Sequence, residues 1–321
     1  MKTTILFFFS LLTLTRAAAQ FTPPVVVAST RFYENGHRPY DWDGDDDLDF
    51  IGYRGLTILD WYENAGGGLL LDPVVLDTFD MNYALLGNAL FADFNTDGHS
   101  DIVITTGENL LVYRQAPDGQ FNQPDSLPFD GTNNARVRLA DLDIDGDPDL
   151  VTIGFGMLQW HENDGTGHFA PPAYIADAPD QMLFITDVDM DGRPDIFGVN
   201  YSPADTVLLY LNPGGGIFIS KEIPTLITEA IYSFTVADVD GDELPDLLPA
   251  WANSFVPYWL KNTGNGTFSL PQLIDPSYSE WPSGYVRMSA DLDIDGDPDI
   301  IIGGNDTLLW IENMENGTFS K

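Results

Sequence analysis

Cysteine is absent from the 321-residue chain, so no disulfide can brace it and no thiol is available as a nucleophile or metal ligand. Basic residues are scarce: 13 Lys and Arg stand against 50 Asp and Glu, a formal net charge of −37. So acidic a surface repels nucleic acid and anionic lipid, and neither is expected as a partner. Long apolar runs are also missing. The longest, Ile5 to Leu14, falls short of the roughly 20 residues a membrane-spanning helix needs, so no membrane insertion is expected. Beyond residue 20 no stretch shows the 3.6-residue apolar period of an amphipathic helix. The chain has only four histidines and neither a G-x-S-x-G elbow nor an H-E-x-x-H zinc motif.

What the first residues do contain is Lys2, the apolar run, and then the small residues Ala17, Ala18 and Ala19. That order is the layout of a secretory signal peptide, residues 1–19, with cleavage before Gln20. An extracellular protein is therefore expected, with residues 20–321 forming one domain. At 44% hydrophobic and 12% aromatic residues, the chain is too apolar for an acidic disordered tail. The charge must be local.

It is concentrated in six nine-residue segments: DWDGDDDLD from Asp41, DFNTDGHSD from Asp93, DLDIDGDPD from Asp141, DVDMDGRPD from Asp187, DVDGDELPD from Asp238 and DLDIDGDPD from Asp291. Their starts lie 46 to 53 residues apart, and they hold 28 of the 50 acidic residues. A period of this regularity is the signature of a repeat architecture. An alternating stretch such as ARVRLAD precedes each segment and a short apolar run such as LVTIG follows it, as strands of four to seven residues would require. Next come an aromatic-rich stretch and an Asn/Gly turn, as in LQWHENDGTGHF, and a fourth, weaker strand such as PPAYIAD. Four antiparallel strands per repeat predict an all-β, six-bladed β-propeller, with seven blades as the alternative. The final repeat stops at GTFSK, and QFTPPVVVAS near the start resembles the fourth-strand sequence HFAPPAYIAD. The N-terminal strand is thus expected to complete the last blade and close the ring.

In a D-x-D-x-D-G-x-x-D loop, side chains at positions one, three and five converge on one point. A main-chain carbonyl at position seven and a carboxylate at position nine complete an oxygen cage. An all-oxygen set suits calcium over zinc or copper, and over magnesium with its stricter octahedron. The candidate ligands are Asp41, Asp43, Asp45 and Asp49; Asp93, Asn95, Asp97 and Asp101; Asp141, Asp143, Asp145 and Asp149; Asp187, Asp189, Asp191 and Asp195; Asp238, Asp240, Asp242 and Asp246; and Asp291, Asp293, Asp295 and Asp299. About five or six ions are expected on these ligand rules. An EF-hand would need Glu at position twelve, where Gly52, Ile104, Thr152, Gly198, Pro249 and Ile302 stand instead. Metal-free Asx turns are the plainer alternative, but they do not require three or more carboxylates packed so closely. Asn95 marks the second loop as the weakest site. The first and fifth carry Asp46 and Glu243 at the glycine position, with Gly44 and Gly241 two residues earlier.

These loops, with the W-x-E-N-x-G-x-G-x-F turn of Trp160 to Phe169, resemble the FG-GAP/VCBS repeats of integrin α-subunit propellers and many secreted bacterial proteins. The resemblance spans essentially the whole chain beyond residue 19 and implies calcium at the positions named. Integrin propellers have seven blades, one more than this chain supplies. The family hosts varied activities, so the resemblance implies fold and metal more than function.

Up-and-down connectivity puts the acidic loops and the Asn/Gly turns on one face. The opposite face gathers the irregular links, with residues the repeat does not need: His37, Arg38, Tyr53, Arg54, Tyr83, Asn133, Asn134, Tyr201, Tyr232, Trp251, Phe255, Tyr278, Trp281 and Tyr285. Of these Tyr53, Arg54, Tyr201, Trp251, Trp281 and Tyr285 are the ligand candidates, since loops on a rigid scaffold carry binding and exposed aromatics stack on sugars or anchor proteins. Trp61, Trp160, Trp259 and Trp310 recur at one third-strand site and are read as core; His161 beside them is distinctive. The expectation is a monomeric extracellular adhesion or binding module for a glycan or protein ligand. The alternative is a polysaccharide lyase or hydrolase using a Tyr/His/Arg set.

Overall fold

The computed structural model of the chain describes residues 38–41, 45–54, 58–66, 69–78, 89–106, 109–117, 120–129, 136–154, 156–177, 179, 181–200, 206–223, 231–251, 258–274, 284–304, 307–314 and 318–320. All the regular structure among them is strand. The first repeat gives β1 (Arg38–Tyr40), β2 (Asp49–Arg54), β3 (Ile58–Tyr62) and β4 (Val74–Thr78), and the second gives β5 (Ala89–Ala92), β6 (Asp101–Thr105), β7 (Asn109–Tyr113) and β8 (Asp125–Pro128). The third holds β9 (Arg136–Ala140), β10 (Asp149–Gly154), β11 (Met157–His161) and β12 (Ala173–Asp177), the fourth β13 (Gln181–Thr186), β14 (Asp195–Asn200), β15 (Thr206–Leu211) and β16 (Ile219–Ile223). The fifth holds β17 (Ile231–Ala237), β18 (Asp246–Trp251), β19 (Tyr258–Trp259) and β20 (Gln272–Leu273), the sixth β21 (Gly284–Ala290), β22 (Asp299–Gly304), β23 (Thr307–Asn313) and β24 (Phe319–Ser320).

Five repeats form four-stranded antiparallel sheets with neighbours in chain order. The fifth is split into the pairs β17–β18 and β19–β20, joined by a bridge between Leu247 and Leu260. The register of that bridge would next set Pro249 opposite Tyr258, and proline has no N–H to donate, so the ladder stops there. The chain divides into two compact units, Met1–Phe79 with the first sheet and Asp80–Lys321 with the others.

The second strands explain why the apolar runs after each acidic loop do not alternate. In β6 and β10 every residue is buried, so both faces of the strand are covered. The outermost strands β4, β12 and β20 are largely exposed, in keeping with their weaker sequence pattern. Between the second and third sheets Phe94, Val103, Leu110, Val112, Phe129, Val137 and Leu150 form one core cluster. Leu142, Val151, Leu158, Trp160, Ile196 and Tyr210 do the same between the third and fourth. Trp160 and Trp259 are buried in such clusters, as core residues should be, whereas Trp310 is 46% exposed and departs from that expectation.

Candidate metal centre

Every acidic loop is shaped by the same carboxylate-to-amide bonds. In the third, Asp141 Oδ1 accepts the amide of Asp145 at 3.1 Å, Asp141 Oδ2 accepts that of Gly146 at 3.0 Å, and Asp145 Oδ1 accepts that of Asp147 at 3.0 Å. The same three bonds recur in the fourth loop from Asp187 and Asp191 and in the sixth from Asp291 and Asp295. Positions four and six take positive φ to make them. In the third loop these are Ile144 at 63° and Gly146 at 99°; in the fifth they are Gly241 at 75° and Glu243 at 70°. The glycine has changed places with a side-chain residue while the turn stays the same. Asp238 still accepts the amides of Asp242 at 3.1 Å and Glu243 at 2.8 Å, so the displaced glycine leaves the fifth loop's geometry intact.

The ninth-position aspartate is a clasp as well as a candidate ligand. Asp149, fully buried, accepts the amide of Leu142 on Oδ2 at 3.0 Å and that of Asn163 on Oδ1 at 2.8 Å. Asp195, Asp246 and Asp299 make the equivalent pairs with Val188 and Asn212, Val239 and Asn262, and Leu292 and Asn313. The turn asparagine then ties two repeats together. Asn163 Nδ2 donates to the Phe94 carbonyl at 2.9 Å, Asn212 to that of Leu142, Asn262 to that of Val188 and Asn313 to that of Val239, each at 2.7 Å. These acceptors are the second residues of the preceding acidic loops, and their side chains are buried in the inter-sheet clusters. The consistently apolar second position was the signal in the sequence for this latch, and sequence reasoning passed over it.

Carboxylate oxygens from Asp141, Asp143 and Asp149 lie within 4.8 Å of one another, as do those of Asp187, Asp189 and Asp195, of Asp238, Asp240 and Asp246, and of Asp291, Asp293 and Asp295. In the second loop Asn95 Nδ2 instead donates to Asp97 Oδ2 at 3.0 Å. Asp43 lies outside the described residues, so the first loop shows Asp41, Asp45 and Asp49 without it. Burial and then the neighbouring Asp145 raise Asp143 above the usual carboxylate range, burial and Asp191 raise Asp189, and burial and Asp295 raise Asp293. Burial pushes the clasps Asp101, Asp149 and Asp195 up to about 6 and Asp246 to about 7, against the amides that each accepts. Asp189 Oδ1 is buried with no hydrogen-bond partner. A buried acceptor aimed at a cluster of like charges fits a divalent cation, which would offset both the burial and the repulsion. The fourth loop meets both parts of this test, and the third and sixth meet it through their clustered carboxylates; Asp141, Asp143, Asp145 and Asp149 and their counterparts would hold the ion, which would lock the loop as a rigid corner.

Of the ligand candidates, Tyr53 and Arg54 end β2, Trp251 ends β18 and Tyr285 lies near the start of β21, each at the end of its own sheet opposite the acidic loop. Tyr201 and Trp281 lie outside the described residues. So do His37, Tyr83, Asn133, Asn134, Phe255 and Tyr278. His161 is buried with its Nε2 3.2 Å from Thr152 Oγ1, inside the sheet and away from that end.

An all-β protein whose sheets are each entered through a clasped acidic loop is a repeat protein in the strict sense, one local structure recurring along the chain. Two stretches carry the FG-GAP-like repeat: its family profile matches residues 93–152 and 187–248. No curated protein matches the chain in sequence. Among solved structures, the chain is similar to an Agrocybe aegerita lectin described as specifically recognising non-reducing terminal N-acetylglucosamine. That likeness has 23% identity and a TM-score of 0.64 and covers 91% of this chain and 79% of the lectin. Looser likenesses are to the V. cholerae biofilm matrix protein Bap1, at 16% identity and a TM-score of 0.47 over 77% of this chain and 40% of that one, and to the Photorhabdus luminescens Tc holotoxin pore, at 20% and 0.45 over 93% and 15%.

Proposed function

We propose that the protein is a secreted binding module, a calcium-loaded six-bladed β-propeller that presents a glycan-binding face opposite its acidic loops. The observation that carries this reading is the segregation of residue types along the first, fifth and sixth repeats. Acidic loop, clasp and asparagine latch occupy one end and build the scaffold, while Tyr53, Arg54, Trp251 and Tyr285 fall at the other, where the repeat has no structural use for them. Tyr201 and Trp281 belong to links of the same kind in the sequence. The lectin that shares the fold gives a first choice of ligand, glycans ending in N-acetylglucosamine.

Closure into a ring is supported by the last sheet. Leu292, Leu308 and Trp310 are 46%, 75% and 46% exposed, whereas their counterparts Leu142, Leu158 and Trp160 in the third repeat are 2%, 0% and 8% exposed beneath the fourth. A further blade laid against that face would bury them.

The test is a glycan array probed with calcium-loaded protein, followed by Trp251→Ala and Tyr285→Ala. Binding to N-acetylglucosamine-terminated glycans that either substitution abolishes while the unfolding temperature holds is the expected result. Silence across the array would remove the glycan-binding reading.

A further inference from the structure

The residue immediately before the turn asparagine, or before Gln115 in the second repeat, differs in charge between repeats: Glu63, Arg114, Glu162, Leu211, Lys261 and Glu312. In the third repeat Glu162 adds its repulsion to the neighbours already acting on Asp143. The fifth repeat reverses the sign. Lys261 Nζ donates to Asp240 Oδ2 and lies 2.8 Å from Asp242 Oδ2, bridging positions three and five of the loop.

We propose that Lys261 is the resident cation of the fifth acidic loop, so that this loop, unlike those from Asp141, Asp187 and Asp291, keeps its fold without a divalent ion. An ammonium is a compact point charge with three donors and takes two carboxylates without the large oxygen cage that calcium needs. The oxygens it takes come from two of the four side chains that would hold calcium, and a metal ion placed there would be repelled by the ammonium a few ångströms away. Asp240 is largely buried and the Lys261 side chain two-thirds buried, so water screens the pair less than a surface ion pair. The contrast with the other loops rests on their calcium reading; the role of the ammonium does not.

The test is amide hydrogen exchange on the full chain with calcium and after chelation, read on segments 141–149 and 238–246, for the wild type, Lys261→Met and Lys261→Glu. In the wild type, chelation should speed exchange at 141–149 by about tenfold or more while 238–246 changes by less than about twofold. Lys261→Met should speed exchange at 238–246 in chelated protein, and Lys261→Glu should make that segment as calcium-dependent as 141–149, with segment 187–195 reporting in calcium that each variant is folded. Loss of protection at 238–246 on chelating the wild type, or no change there in chelated Lys261→Met, would overturn the proposal. If 141–149 ignores calcium, the calcium reading fails on its own, and chelated Lys261→Met still decides the role of the lysine.

Discussion

Asp149 and Asn163 meet beneath the third acidic loop, where the Asn163 amide donates to Asp149 Oδ1 at 2.8 Å while the Asn163 side chain reaches the Pro148 carbonyl at 3.3 Å and the Phe94 carbonyl at 2.9 Å. One carboxylate thus fixes its own loop through Leu142, the turn of its own sheet through Asn163, and indirectly the loop of the preceding repeat. Asp149→Ala leaves two buried amides without an acceptor. The expected loss is about 2–5 kcal/mol in urea unfolding with chelator present, whereas Asp143→Asn should change metal-free stability by less than about 1 kcal/mol. Equal losses from the two substitutions would mean that position nine has no clasping role.

The asparagine latch makes a second prediction. Asn262 Nδ2 serves the Val188 carbonyl at 2.7 Å and the Pro245 carbonyl at 3.1 Å. Asn262→Ala should cost about 2–4 kcal/mol, two buried acceptors going unmet, and should loosen the contact between the fourth and fifth repeats in hydrogen exchange before the rest of the chain opens. Thr263→Ala, one residue on and exposed, should cost well under about 1 kcal/mol.

Exchanging the glycine between positions four and six leaves a non-glycine residue at positive φ in either case. Glu243 at 70° occupies a site that is glycine in the second, third, fourth and sixth loops. Glu243→Gly should stabilise the protein by about 0.5–1 kcal/mol, the left-handed penalty outweighing the added chain entropy. A destabilised variant would mean that the Glu243 side chain contributes more than its backbone costs.

Much of this architecture could be read from the sequence because the repeat superposes six versions of one local problem. Strand positions followed from apolar runs bounded by Asn/Gly turns, and the loops from aspartates at alternate positions. The clasp and latch were harder to see because their partners lie far apart in sequence: Asn163 and Phe94 are 69 residues apart, and no local pattern announces a side-chain bond to a distant carbonyl. Lys261 was missed for a related reason, since its effect depends on standing beside Asp240 and Asp242, 21 and 19 residues earlier. The broken ladder of the fifth sheet was present in Pro249, which was scored for its failure as an EF-hand ligand and not for its missing N–H.

His161 carries the pH prediction. Burial lowers its pKa from 6.5 to about 4. The folded state therefore binds fewer protons than the unfolded state between those values, so stability falls as pH drops from 6.5 towards 4 and changes no further from this source below it. The span is worth on the order of 3 kcal/mol. Leu260 fills the corresponding position of the fifth repeat, so in His161→Leu the difference in unfolding free energy from wild type should shift by that amount in the variant's favour between pH 7 and pH 4. A constant difference across that range would show that His161 does not titrate abnormally.

Calcium in the acidic loops is the claim on which the binding module rests, and a metal count paired with thermal unfolding tests it most directly. The chain should be freed of metal by chelation, titrated with calcium or magnesium, and assayed for bound ions and unfolding temperature. At least three calcium ions are expected, in the loops from Asp141, Asp187 and Asp291, with a calcium-specific rise in unfolding temperature and about 2.7 kcal/mol gained per site at a hundredfold excess over the dissociation constant. No bound calcium and an unchanged unfolding temperature would contradict it and leave the loops as metal-free Asx turns.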